Sequence, residues 1–158
     1  MNFRVPHTLG KQANLQLKLI LAKQLEQNSR LWLQENAASL GKVGLHLLCG
    51  DGQLSLEIAS HLGEDGLLYA VYERLIDIKS AQKQAMIEGL QQLQFISLTE
   101  WLTGETTPLS FAYTRLPFFY LEKAPSALQE LYHRLKENGL LLIEELDIEN
   151  VSCFPYSS

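Results

Sequence analysis

One stretch constrains the fold of this chain more than any other: Gly44-Leu45-His46-Leu47-Leu48-Cys49-Gly50-Asp51-Gly52-Gln53-Leu54-Ser55. Leu45, Leu47 and Leu48 form a short apolar run, and Gly50 and Gly52 bracket a tight turn. Leu54, Leu56, Ile58, Ala59 and Leu62 then recur at helical spacing as far as Gly63. The pattern is a buried strand that passes through a glycine turn into a helix. Glycines there let the backbone approach a ligand, and the N–H groups and positive dipole end of the new helix favour a carboxylate or phosphate. The same turn also serves α/β domains as plain chain geometry, so alone it admits both readings.

The remaining composition narrows the class. At 158 residues the chain is the size of one domain and can bury a real core; 46% hydrophobic and 20% charged residues are globular values. A net charge of −5, with no run of Lys or Arg, argues against a nucleic-acid surface. Two cysteines, Cys49 and Cys153, have no metal-ligand spacing and are too few for a disulfide framework. They fit a reducing cytoplasm, and no metal site is expected. No apolar signal core and no run of membrane-spanning length is present, so the reading is a soluble cytoplasmic protein without a targeting segment.

In chain order, Pro6 and Gly10 break an irregular lead-in. A long helical pattern follows through Leu15, Leu17, Leu19, Ile20, Leu21 and Leu25. A second runs through Leu31, Trp32, Leu33 and Leu40 and stops at Gly41. After Gly63, the turn Glu64-Asp65-Gly66 leads into Leu67-Leu68-Tyr69-Ala70-Val71-Tyr72, whose continuous apolarity suits a parallel strand buried on both faces. Glu73 ends it, roughly twenty residues past the glycine turn, where dinucleotide-type folds place an acid against ribose hydroxyls. A solvated surface glutamate is the plain alternative. The segment Asp77–Leu93 is helical in pattern, Gln94–Leu98 a third strand, Leu109–Thr114 a fourth, and Leu140–Ile143 a fifth. Between the last two, Pro125 starts a helix with Leu128, Leu131, Tyr132 and Leu135 on its inner face, which Asn138-Gly139 stops. Five strands alternating with helices predict an α/β fold with a doubly wound, mostly parallel sheet.

In order and spacing, these segments resemble the class I S-adenosylmethionine-dependent methyltransferases, in particular small-molecule enzymes of the ubiquinone and menaquinone methyltransferase type. Leu45–Gly52 falls on that family's glycine motif, Val71-Tyr72-Glu73 on its second-strand acid, and Leu135–Ile143 on its turn and fifth strand. The resemblance implies one domain over residues 1–158, with a helical lid over 1–41, a Rossmann-like core over 42–147 and a tail over 148–158. It also implies S-adenosyl-L-methionine as cofactor, held by His46, Cys49, Gly50, Gly52, Glu73, Arg74, Glu100, Trp101 and Thr114. Gly50 and Gly52 would bring amides to the methionine carboxylate, and Glu73 would accept the ribose hydroxyls. Glu100 would accept the adenine amine, Trp101 would stack on the ring, and Thr114 with Arg115 would line the sulfonium end. Trp101 also reads as a plain core aromatic.

Three departures from the family pattern carry expectations of their own. The first-strand acid is His46, which cannot act as an acceptor-only charge and also reads as a half-buried histidine bonded to backbone. The first motif glycine is Leu48, whose side chain crowds a close approach and whose backbone is strained if φ is positive there. Family members continue past the fifth strand with a helix and two further strands, one antiparallel; these C-terminal strands are missing from the sequence, which is therefore expected to be a fragment or a shortened form. Leu140–Ile143 would then be an apolar edge that self-associates or is covered by the Val151–Tyr156 tail.

The activity implied is methyl transfer to a small acceptor, which the apolar lid and Leu116-Pro117-Phe118-Phe119-Tyr120 suggest is itself apolar. No catalytic residue stands out; His7, Tyr113, Tyr120 and Glu145 could reach the reaction region, and each has an ordinary structural role. The alternative is a catalytically inactive methyltransferase-like module used as an interaction surface. A nicotinamide oxidoreductase shares the glycine turn and Glu73, but Ser55 stands where its third glycine belongs.

Overall fold

The computed structural model describes residues 27–105, 107–115 and 124–144. The chain divides into two compact units, Met1–Asn36 and Ala37–Ser158. In the first, residues 27–36 form helix α1, and Asn36 Nδ2 donates to the Trp32 carbonyl at 2.9 Å. The expected helix through Leu15–Leu25 lies outside the described residues. The second unit opens on a single 3₁₀ turn, Ala37–Ser39. The helical pattern expected to reach Leu40 therefore tightens at Ala37, ahead of the positive-φ turn at Gly41 (φ 79°).

The second unit alternates strands and helices: β1 (Val43–Leu47), α2 (Gln53–Leu62), β2 (Leu67–Tyr72), α3 (Leu75–Glu88), β3 (Leu93–Ser97), α4 (Leu98–Thr103), β4 (Leu109–Arg115), α5 (Ala124–Arg134) and β5 (Leu135–Glu144). All five strands are parallel, in the order β3-β2-β1-β4-β5. The largely apolar runs of the central strands β2, β1 and β4 fit this arrangement because both faces of the sheet are covered there. Successive side chains alternate between those faces. Leu45, Leu47, Val71 and Ala112 join Leu98, Trp101, Leu109, Ala127 and Leu131 in one core with α4 and α5. His46 points to the opposite layer, where its ring meets Ser55 of α2. Ile58, Ala59, Ile78 and Ala81 bury the inner faces of α2 and α3. Each fully buried leucine contributes about 1.5–3 kcal/mol.

β5 departs from the expectation. The helix before it was expected to run to Asn138-Gly139, but α5 ends at Arg134, and Leu135 already pairs with Leu109. The register then jumps to Leu140 against Phe111, so Lys136–Gly139 form an excursion between two paired segments. Asn138 turns the chain there at φ 61°, a conformation asparagine tolerates better than most residues. Arg134 explains the early stop. Its Nη2 donates to the carbonyls of Trp101 (2.6 Å) and Gly104 (3.1 Å), which pins the end of α5 beside the start of β4.

Candidate functional site

The sheet order reverses direction at β1, whose neighbours are β2 on one side and β4 on the other. In open parallel sheets the crevice outside the carboxyl ends at such a point is where ligands bind. The loop that follows β1 is built for close approach. Cys49 donates its amide to the Val71 carbonyl at 2.9 Å, and Gly52 donates to the Cys49 carbonyl at 2.9 Å, which fixes a tight turn between strand and helix. Gly50 holds φ 59°, and no atom lies within 4 Å of where its Cβ would stand. Gly52 is different. At φ 79° a Cβ would meet Ala81 Cβ at 2.8 Å and Phe95 Cε1 at 2.9 Å, so this glycine lets α3 and β3 pack against the loop.

Gly52 is also the N-cap of α2, which has no side-chain cap and no acidic residue in its first turn. Asp51 accepts from the Gln53 amide at 3.1 Å and is exposed. The helix therefore presents a positive dipole end beside the open space at Gly50, a fit to a carboxylate.

Leu48 stands at φ 58° in the same loop. For a bulky side chain the left-handed region costs about 1–2 kcal/mol, and it appears where surrounding structure holds it. The side chain is half-buried against the apolar core, which offsets part of that cost. Strain expected from the sequence on condition of a positive φ is therefore present.

His46 is 2% exposed, and its Nδ1 lies 2.8 Å from Ser55 Oγ. The partner expected was backbone; the partner found is a helix hydroxyl. Burial, and secondarily the charge of Arg115, hold the imidazole pKa down at about 3, so the ring is neutral. Its edge meets the Tyr113 ring at 5.0 Å and 68°, and Tyr113 OH donates to Glu144 Oε2 at 2.7 Å. Arg115 Nε lies 3.7 Å from the same carboxylate oxygen. A polar chain thus crosses from α2 through β1 and β4 to β5. Cys49 belongs to its near end: burial pushes the thiol up to about 12, while a hydrogen bond with Ser55 pulls the other way. It is a neutral free thiol, inert as a nucleophile.

The other expected site residues divide into two groups. Glu73 is exposed immediately after β2, on the same side of the sheet as the glycine loop. Arg74, the N-cap of α3, makes a bidentate pair with Asp77 at 2.7 and 2.8 Å, which raises its pKa and commits it to the start of that helix. Glu100 closes a capping box with Ser97, accepting the Ser97 amide at 2.6 Å; these bonds hold its carboxyl below the usual range. Trp101 is 1% exposed with the Arg134 guanidinium 5.2 Å from its ring centre, and so packs as a core aromatic. The Thr114 hydroxyl is enclosed at the end of β4, without a hydrogen-bond partner. His7, Tyr120, Glu145 and the segment 116–120 lie outside the described residues. Ser55 and Arg134 gave no sequence signal as site residues. Among the described residues no cluster of His, Cys, Asp and Glu could hold a metal ion, and no helix is long and apolar enough to cross a membrane.

No family model and no curated protein matches the chain. Solved structures do. The [4+2]-cyclase SpnF superposes with a TM-score of 0.61 at 18% identity over 73% of this chain and 43% of its own. A SAM-dependent methyltransferase from Aquifex aeolicus gives 0.55 at 19%, over 68% and 58%. Coclaurine N-methyltransferase, bound to N-methylheliamine and SAH, gives 0.59 at 17%, over 89% and 38%. The chain spans about half the length of these proteins or less. Identities this low establish architecture, and the architecture is shared throughout: the chain has the class I S-adenosylmethionine-dependent methyltransferase fold.

Proposed function

We propose that the chain binds S-adenosyl-L-methionine across the carboxyl ends of β1 and β2 and serves methyl transfer to a small apolar acceptor in the cytoplasm. The observation that carries this reading is the glycine loop: open space at Gly50, a helix N-terminus whose N-cap, Gly52, carries no side chain, and an exposed carboxylate at Glu73 beyond the adjacent strand. When bound, the cofactor supplies an electrophilic methyl on a sulfonium, so the protein contributes mainly position. The Gly50 and Asp51 amides would receive the amino-acid carboxylate, since those of Gly52 and Gln53 already donate to the Cys49 carbonyl and the Asp51 side chain. Glu73, with two acceptor oxygens, would take both ribose hydroxyls. His46, neutral and bonded to Ser55, ties β1 to the first turn of α2 and keeps that backbone in place. The adenine contacts expected of Glu100 and Trp101 find less support, since one side chain closes a helix cap and the other is buried.

Two known members of the fold give opposite hints about chemistry. One is a methyltransferase with SAH bound, and the other is named for a cyclisation, so fold alone does not choose the reaction. Calorimetric titration of S-adenosylmethionine and S-adenosylhomocysteine into the purified chain tests the proposal. Micromolar binding, weakened at least tenfold by Glu73→Ala, is the expected result. A folded sample that binds neither would sink it and leave the interaction module.

A further inference from the structure

A cavity lies away from the glycine loop. It occupies about 170 Å³ between α4, the start of β4 and the end of α5. Its walls include Tyr69, the third residue of β2, and Leu109, the first of β4, whereas the glycine loop and Glu73 follow the last residues of their strands. Tyr69 and Leu109 thus set its floor below the level of the glycine loop, while Ile96, paired with Val71, carries its wall toward the end of β3.

Three features of the lining point to one ligand chemistry. The indole Nε1 of Trp101 is buried with no hydrogen-bond partner, although Trp101 forms part of the wall. Buried donors in folded proteins are nearly always satisfied, so an orphan beside a cavity marks a missing acceptor. Arg134 is 6% exposed and lines the same space. Its Nε is spent on Glu130 at 2.6 Å and its Nη2 on two carbonyls, which leaves Nη1 as the donor over. Tyr69 OH and Thr107 Oγ1 are 3.4 Å apart, a loose pair that an inserted acceptor could divide. The remaining wall is apolar, with Ile96 and Leu109.

Charge decides between an anion and a neutral molecule. The guanidinium already has the Glu130 carboxylate, and Glu100 and Glu105 also line the cavity, so an added carboxylate would face three others. We propose that this cavity is a binding site for a small uncharged aromatic molecule that presents a hydrogen-bond acceptor to the Trp101 N–H. Its size suits one ring with a short substituent, since a cavity of about 150 Å³ in another protein holds benzene.

Benzamide is the probe. Titrated into the full chain and followed by amide and indole NMR, it is expected to move the Trp101 Nε1–H peak and the Gly104 and Thr107 amides together. The expected Kd is in the low-millimolar range, the scale for a ligand of about nine non-hydrogen atoms. Trp101→Phe keeps the ring, removes the donor, and should weaken binding about fivefold. Thr107→Leu, on the half-buried wall, fills the cavity without touching the core and should abolish binding; it keeps the test decisive if the Trp101 variant fails to fold. Benzoate should bind more weakly than benzamide. No saturable shift of the indole peak up to about 20 mM, a response confined to Gly50 and Glu73, or tighter binding of benzoate would each overturn the proposal.

Discussion

Leu48 holds a left-handed backbone conformation that a leucine adopts only against its own preference, and it does so within the loop proposed to meet the cofactor. Replacing it with glycine removes a penalty of about 1–2 kcal/mol and forfeits the burial of a half-exposed side chain, worth about the same. Urea unfolding of Leu48→Gly should therefore shift by less than about 1 kcal/mol, while affinity for S-adenosylmethionine tightens several-fold. Unchanged affinity would show that the side chain does not crowd the ligand. His46 gives a pH prediction. Its folded pKa of about 3 lies below the ordinary 6.5, so the unfolded chain binds a proton that the folded chain refuses. Stability is full above about 6.5 and falls as pH drops toward 3, by about 2 kcal/mol at pH 5. His46→Asn, less stable at pH 7 for want of the same bond to Ser55, should lack that component between pH 7 and 5. Parallel pH profiles for the two proteins would contradict it.

Among the elements, α5 depends on one side chain. Arg134 ties it to the end of α4 through two carbonyls, and Arg134→Leu should cost about 1–3 kcal/mol in urea unfolding because the buried Trp101 carbonyl loses its partner. A cost below about 1 kcal/mol would mean that water replaces the bonds. This tie also shows where sequence reading stopped. The strands were legible because continuous apolar runs bounded by Gly and charged residues have few other uses, and Gly50, Gly52 and Glu73 were legible because their positions follow from the strand ends. The end of α5 was not. Periodicity carried it on to Asn138-Gly139, whereas a contact with Trp101, 33 residues away in sequence, fixed it at Arg134. The His46–Ser55 pair escaped for a similar reason: strand and helix patterns say which faces are apolar, not which polar groups meet between them. Trp101 fell after the third strand as expected, yet its burial depends on α5, which local pattern does not place.

At the scale of the molecule, the sheet leaves β5 at its edge among the described residues, with Leu140 and Leu141 39% and Ile143 52% exposed. An uncovered apolar edge recruits another strand. We expect the chain to self-associate through it, and Ile143→Lys to yield a monomer in sedimentation velocity; a wild-type chain that sediments as a monomer at all concentrations would contradict this. The Val151–Tyr156 tail, the other candidate cover, lies outside the described residues. The polar chain from Ser55 to Arg115 runs toward the same edge, so assembly there and the cofactor loop would share the β1–β4–β5 half of the sheet. The most direct test of the central claim is a crystal structure of the chain with S-adenosylhomocysteine. The account predicts the amino-acid carboxylate against the Gly50 and Asp51 amides and the ribose hydroxyls on Glu73. Ligand density at another place on the sheet, or a carboxylate turned away from the α2 N-terminus, would contradict it.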